Sequence, residues 1–394
     1  MRLMSEWTAP GGSGPERERP RYGELAPEGW TPPAQDPANP HAPMPPVAPP
    51  QYGAVPPPGW TPPPKPGFIP LRPLTLGDVI AAAFQVIRRN PRPTFGFALV
   101  VNVIVTVVVG AGTGWLAWLL YGRVLSAAEA DRETIGAGSI LLFVIAALAA
   151  WIISSALSGI VQGVVSLDVA RGAVGERLRL KELWRGVRGR IGAIIVWTLL
   201  VSIASAVAVG VVVGVVLLFA PLGGLGIVLG LLVGLVAGLG MLCLSVWLWV
   251  RLVHVPTLLV VERLPIRAAM RRSWSLTLGR WWRTFGIVLL VYAIIIVASE
   301  VITSPISFLG GLLGGVVNPN GTEDVANGWM IGLLVLSAAV GSVFGAIGAV
   351  AEAATPAVLY LDARMRKEGL DLELQHHVEQ TAAGQASPDP YRRS

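Results

Sequence analysis

Six apolar runs set the limits on what this chain can become. They cover about residues 95–121, 139–169, 191–219, 222–253, 285–309 and 329–361. Each exceeds the roughly 18 to 20 residues that carry a helix through the hydrocarbon of a bilayer. Backbone groups in lipid have no water to bond, so a spanning segment must satisfy its own amides and carbonyls, as a helix does. Composition agrees: mean hydropathy is +0.62 and only 14% of residues are charged, against about a quarter in a soluble domain. The expected fold is an all-α polytopic membrane protein with about six transmembrane helices. Several runs pass thirty residues, which implies tilt, kinks or extension into the headgroups.

The connections between the runs predict orientation. Arg171, Arg177, Arg179, Lys181, Arg185, Arg188 and Arg190 follow the second run, and Arg251, Arg263, Arg267, Arg271, Arg272, Arg280 and Arg283 follow the fourth. Arg88, Arg89 and Arg92 precede the first, and Arg364, Arg366 and Lys367 follow the last. The alternate connections are poor in positive charge. Basic residues stay on the cytoplasmic side, so a multi-pass protein with both termini in the cytoplasm is expected. Trp115, Trp118, Tyr121 and Trp329 would then mark the outer interface, and Trp247, Trp249, Trp281 and Trp282 the inner one. Arginine far outnumbers lysine beside abundant Ala, Val and Gly, which points to a high-GC bacterial genome and a bacterial cytoplasmic membrane. The net charge of +6 is explained by topology, and no soluble basic face with base-stacking aromatics argues for nucleic acid.

The chain repeats itself. Leu74-Thr75-Leu76 lies 190 residues before Leu264-Pro265-Ile266, and at that offset Ile80 matches Met270, Phe84 matches Trp274, and Thr94-Phe95-Gly96 matches Thr284-Phe285-Gly286. A middle copy begins at Leu178-Arg179-Leu180. The junction Glu176-Arg177-Leu178-Arg179-Leu180 resembles Glu262-Arg263-Leu264-Pro265-Ile266 and Glu368-Gly369-Leu370-Asp371-Leu372. The unit is a basic amphipathic helix followed by two spans, used three times over about 74–177, 178–263 and 264–367. In the third copy Ile266, Met270, Trp274, Leu278, Trp282 and Phe285 fall at helical spacing, with Arg267 and Arg271 on another face. Such a helix belongs in the headgroup layer.

Residues 1–70 are Pro-rich and duplicate Gly29-Trp30-Thr31-Pro32-Pro33 as Gly59-Trp60-Thr61-Pro62-Pro63. A segment like this buries too little apolar area to offset its ordering entropy, so a disordered cytoplasmic tail is expected. It reads as a spacer, or as a docking tail for a protein partner with an aromatic groove. Residues 71–373 form the membrane domain, and 374–394 read as a second disordered tail.

Three segments carry a resemblance. Leu71-Arg72-Pro73-Leu74-Thr75-Leu76-Gly77-Asp78 opens the membrane region, Arg88-Arg89-Asn90-Pro91 precedes the first span, and Tyr360-Leu361-Asp362-Ala363-Arg364-Met365-Arg366-Lys367-Glu368-Gly369-Leu370-Asp371 closes the last. Together they resemble bacterial, especially actinobacterial, membrane proteins related to the membrane domain of glycerophosphoryl diester phosphodiesterase, over about residues 69–373. In enzymes of that name a separate soluble barrel follows and carries the catalysis. A barrel needs about 250 residues, but only a short polar segment follows Leu374 here, so the resemblance does not extend to the activity.

Candidate sites are few. Glu300 and Glu352 lie inside the fifth and sixth runs, where a carboxylate costs about 2.5 to 3.5 kcal/mol, and Asn102 and Gln162 are their candidate polar neighbours. Arg88, Arg89, Arg185, Arg188, Arg267, Arg271 and Arg272 are candidates for anionic lipid headgroups. Asp168 and Asp362 read as interfacial ion pairs beside Arg171 and Arg364, His254 as a polar interface residue, and Pro256 and Pro356 as bends or ends of helices. Gly226, Gly230, Gly234 and Gly238 form a stripe that permits close helix packing, either closing the bundle or joining subunits. The single cysteine, Cys243, excludes an internal disulfide. No catalytic set, metal site, cofactor motif or phosphate-binding loop is legible. The expectation is a non-enzymatic membrane module that scaffolds partners or binds lipid. The alternatives are a permease for a small or lipid-like substrate and, third, an accessory to a membrane phosphodiesterase.

Overall fold

The computed structural model describes residues 67–317, 323–385 and 388–391. Nearly all of the Pro-rich tail lies outside them, and so does the side chain of Trp329. Five stretches of the described residues are long and apolar enough to cross a membrane: Arg92–Leu125, Arg132–Ala173, Ile191–Val260, Trp281–Ile306 and Val335–Glu368.

The repeat governs the architecture. Helix α1 (Leu76–Arg89) leads the first copy; a rod of α2 (Phe97–Ile104) and α3 (Ala111–Leu125), joined through π-helical turns, follows, and then α4 (Arg132–Ala173). Helix α5 (Leu180–Arg188) leads the second copy, with α6 (Ile191–Leu217), α7 (Gly223–Leu252) and the short α8 (Val255–Val260). Helix α9 (Ile266–Thr277) leads the third, with α10 (Trp281–Val317) and α11 (Glu323–Glu368). The apolar stretch Ile191–Val260 is folded back between α6 and α7, where Gly223 takes a φ of +70° that L side chains rarely adopt. The long helices among the described residues therefore number six.

The three lead helices share one register. Their N-caps are Thr75, Arg179 and Pro265, the middle residues of the Leu-x-Leu or Leu-Pro-Ile motif. Thr75 and Asp78 close a capping box, and Arg88 and Arg89 complement the helix dipole at the other end. Val79 and Ala83 are buried in α1, Leu183 and Val187 at the same positions of α5, and Ala269 and Ser273 at the same positions of α9. Val86 and Leu276 extend the match between the first and third copies.

The core lies toward the end of the bundle that carries these helices. Helix α4 buries Gly159 and Val161 and then most of its last turns through Ala173, while most of its first half is exposed. Helix α11 is buried mainly from Ala346 to Met365. Elsewhere large side chains such as Leu231, Leu235, Val236 and Leu239 face outward, as lipid contact requires. Trp115, Trp118 and Tyr121 are exposed on α3. Near the lead helices, Trp247 meets Trp274 edge-on at 5.3 Å with the Arg251 guanidinium over both rings.

The Gly stripe has a partner within the chain. A methyl at Gly230 would meet the Val216 carbonyl oxygen at 2.8 Å, and one at Gly234 the Val216 side chain at 2.3 Å. Gly226 abuts the turn at Phe219, while Gly238 keeps only an ordinary contact with Val212. So α6 and α7 form an antiparallel hairpin with its closest approach near the turn. Gly210 and Gly214 on α6 face open space. We expect Gly230→Ala to destabilise the protein by about 1–3 kcal/mol, because backbone must move, and Gly214→Ala to be neutral. Thermal unfolding in detergent checks the pair.

Three expectations need correction. The apolar stripe from Ile266 to Phe285 is not one helix: α9 stops at Thr277, Leu278 is extended, and Gly279 has φ +77°. Residues 374–394 are not an unstructured tail throughout. Helix α12 (Leu370–Ala382) starts beyond Gly369, buries Leu370 and Leu374, and is followed by a buried Tyr391. The prolines, read as bends or ends, divide: α7 ends at Leu252 just before Pro256, which sits in the first turn of α8, and α11 continues through Pro356. His254 is fully buried rather than interfacial. Its amide donates to Ser273 Oγ at 3.3 Å, and its Nδ1 lies 3.1 Å from the Pro356 carbonyl oxygen.

Candidate functional site at the arginine-rich end

Asp362 is the tie between the first and third copies. It is 3% exposed. The Leu74 amide and Arg366 Nε both donate to its Oδ1 at 2.8 Å, and Arg283 Nη2 lies 3.3 Å from its Oδ2. Arg283 and Arg366 also donate to the Leu74 carbonyl, at 2.7 and 2.6 Å. One carboxylate thus fixes the lead of α1, the start of α10 and the end of α11. The partners are Arg366 and Arg283, not Arg364. The first copy does something similar for the second. Asn90, 190 residues before Arg280, donates to Asp168 and to the Leu178 carbonyl, both at 2.9 Å. Asp168 is thus buried and bonded to an amide, rather than paired at the surface with Arg171.

A second network joins the second and third copies. Tyr360 Oη donates to Glu262 at 2.7 Å and accepts from Arg364 at 3.0 Å. Arg364 Nε donates to Glu368 at 3.0 Å, and Arg272 Nη2 to the same carboxylate at 2.7 Å. Arg272 Nε lies 3.5 Å from Glu262. Two acids face two guanidiniums in a buried cluster, so the charges balance. Burial works against the Arg272 charge, yet Glu368 and Glu262 outweigh it and hold its pKa above the ordinary value. Arg272 is therefore a structural residue, not one offered to headgroups. Its side chain takes the position that Ala82 takes in α1.

The remaining headgroup candidates divide by exposure. Arg88, Arg185, Arg188, Arg267 and Arg271 are exposed on helices whose opposite faces are buried. Arg89 is half-buried, donates to the Glu176 carbonyl, and stacks over Phe68 at 5.2 Å. The C-terminal segment closes over this region. Tyr391 Oη donates to the Ala170 carbonyl at 2.6 Å, and Arg171 to Asp389 at 2.7 Å. Burial raises the Tyr391 pKa, keeping the phenol neutral as a donor. We expect Tyr391→Ala to cost about 3 kcal/mol and Tyr391→Phe about 1 kcal/mol. Thermal unfolding with limited proteolysis of the tail distinguishes them.

The intramembrane polar candidates do not form one site. Glu352 hydrogen-bonds Tyr292 between α11 and α10. Glu300 is exposed and sits eight residues beyond Tyr292 on α10, roughly 12 Å at the helical rise. Asn102 packs on Gly345, where a methyl would come 2.9 Å from its Nδ2. Gln162 is half-buried on α4. The four are spread over different contacts. No group of three or more His, Cys, Asp or Glu among those residues could hold a metal ion.

Sequence reading missed Glu262, Tyr360 and Tyr391, and gave Arg364 to Asp362 where Glu262 and Glu368 hold it. The first had a signal, since Glu262 opens one of the three similar junctions.

Comparison with known proteins then places the chain. A family described as a domain of unknown function (DUF7847) matches residues 116–361. The chain belongs to this family. The DUF7847 region begins inside α3 and ends inside α11, one residue short of Asp362. The lead helix α1 and the tie that Asp362 makes to it lie outside the matched region. No curated protein and no solved structure matches the chain.

Proposed function

We propose that this protein is a non-enzymatic integral membrane module of the bacterial cytoplasmic membrane that gathers anionic lipid headgroups on its cytoplasmic face. One observation carries the reading. Arg185, Arg188, Arg267 and Arg271 stand exposed on short helices in the same register, each helix anchored by its buried face. Near an anionic leaflet each such arginine contributes about 1 kcal/mol. The neighbouring arginines are already engaged: Arg272 and Arg364 face Glu262 and Glu368, while Arg283, Arg366 and, at 3.9 Å, Arg280 share Asp362. The exposed set adds to the cationic surplus that an external anion can meet. The resemblance to the membrane domain of glycerophosphoryl diester phosphodiesterase supports the reading as a membrane module.

Two measurements test this. Reconstituted in a mixed bilayer of phosphatidylglycerol and phosphatidylcholine, the protein should enrich phosphatidylglycerol in its lipid annulus. The variant with all four arginines changed to Gln should lose most of that enrichment. An annulus of bulk composition in the parent protein would remove the reading. In a Cys243→Ser background, Ser275→Cys should react with an impermeant thiol reagent only from the cytoplasmic side. Labelling from the exterior would invert the topology and end the proposal.

A further inference from the structure

A pocket of about 650 Å³ lies against α1, lined among others by Phe68, Phe84, Gln85, Arg88, Arg89 and Arg177. Three guanidiniums contribute to it, and no acid is among the residues that line it. The repeat does not demand this charge. At the positions of Arg88 and Arg89 the third copy carries Leu278 and Gly279, while the shorter second lead helix ends on Arg185 and Arg188. Inside-positive topology needs arginines in the connection, but not a pair on the last turn of α1 facing a third across a hollow.

The arginines are held there at some cost. Among the described residues Arg89 Nη1 is buried with no hydrogen-bond partner. Burial lowers the Arg89 pKa, Asp168 offsets part of that, and the charge of Arg177 lowers it further. Gly172 makes room for the Arg89 guanidinium: a methyl there would lie against Arg89 Nη1 and 2.7 Å from the Phe68 ring. Gly67 has a similar constraint against the Gly172 and Ala173 carbonyls. So close backbone packing holds one cation beside a second. An anion seated between Arg88, Arg89 and Arg177 removes that repulsion. Gln85 adds an amide donor, and the half-buried Phe84 ring offers apolar surface to whatever the anion is attached to.

We infer that this pocket binds one phosphate-bearing anion with an apolar body, gripped by Arg88, Arg89 and Arg177 and packed on Phe84. The inference rests on the lipid-binding reading above but assigns a single, saturable site instead of a charged surface. Guanidiniums grip phosphate through paired, charge-assisted hydrogen bonds. The phosphate can come from a membrane phospholipid or from a soluble ion, and the two sources are separable.

The test is calorimetric titration of the full chain in maltoside micelles with short-chain phosphatidic acid, then with inorganic phosphate as competitor. The expected result is one bound phosphatidic acid per chain, with affinity falling about tenfold or more in Arg177→Gln, as loss of a hydrogen bond between charged groups implies. Arg88→Gln should act in the same direction, while Arg267→Gln with Arg271→Gln should leave this binding unchanged. Competition by millimolar phosphate assigns the site to the free ion, and failure to compete assigns it to lipid. No saturable binding of either probe overturns the inference, as does equal affinity in Arg177→Gln of unchanged melting temperature. Annular enrichment that survives Arg177→Gln, with saturable binding absent, would leave the broader lipid reading standing and remove the pocket alone.

Discussion

Replacing Asp362 with Ala is expected to cost about 3 to 5 kcal/mol of stability, the loss seen when one partner of a buried ion pair is removed. The carboxylate is 3% exposed and accepts from an amide and a guanidinium at 2.8 Å each. Without it Arg366 and Arg283 keep only the Leu74 carbonyl between them, and the Leu74 amide has no acceptor. Asp362→Asn retains an acceptor and loses the charge, so it should fall between parent and Ala. Chemical unfolding in detergent micelles, followed by tryptophan fluorescence, reads the series. An Ala protein as stable as its parent would show that α1 is held by its apolar face alone.

The second large effect is non-additive. Arg364→Met should cost about 3 to 5 kcal/mol, because it leaves Glu262 buried with Arg272 as its remaining cation. Adding Glu262→Gln should recover at least half of that loss, since the uncompensated charge is then gone. Buried clusters of this kind are often replaceable as a set and intolerant of single deletions. If the two losses simply added, the residues would be energetically independent, and the 3.7 Å approach of Arg364 Nη1 to Glu262 would be incidental to stability.

Much of the architecture was legible because it is periodic. Apolar runs, charge alternation and the offset of 190 residues led to long helices preceded by short amphipathic ones. The offset also holds in burial, where Val79 and Val86 align with Ala269 and Leu276. Side-chain roles at the arginine-rich end were harder to read. Arg271 and Arg272 are neighbours in sequence, yet one helical step of about 100° separates an exposed residue from one inside an ion cluster. The acids that claim Arg272 are Glu262 and Glu368, and the latter is 96 residues away. No local pattern announces that pairing. Gly279 was a readable stop: a glycine beyond a basic amphipathic segment often takes positive φ and ends a helix. Helix α12 had a signal too. Its leading Glu-Gly-Leu-Asp-Leu echoes the two junctions that open α5 and α9. Polar composition beyond it outweighed that echo, and the anchoring role of Tyr391 depends on an Ala170 carbonyl 221 residues earlier.

The link from Leu74 to Asp362 bears on biosynthesis. A ribosome makes the two partners 288 residues apart, which at about 5 to 20 residues per second is a delay on the order of 15 to 60 s. Through that interval the nascent first helix has no acceptor for its leading amide, although Arg283 reaches its carbonyl from the start of α10. The final span supplies Asp362 and Arg366 together, completing the tie between the first and third copies by its last turns. Any product cut short before those turns keeps an unfinished beginning, with the Leu74 amide unpaired.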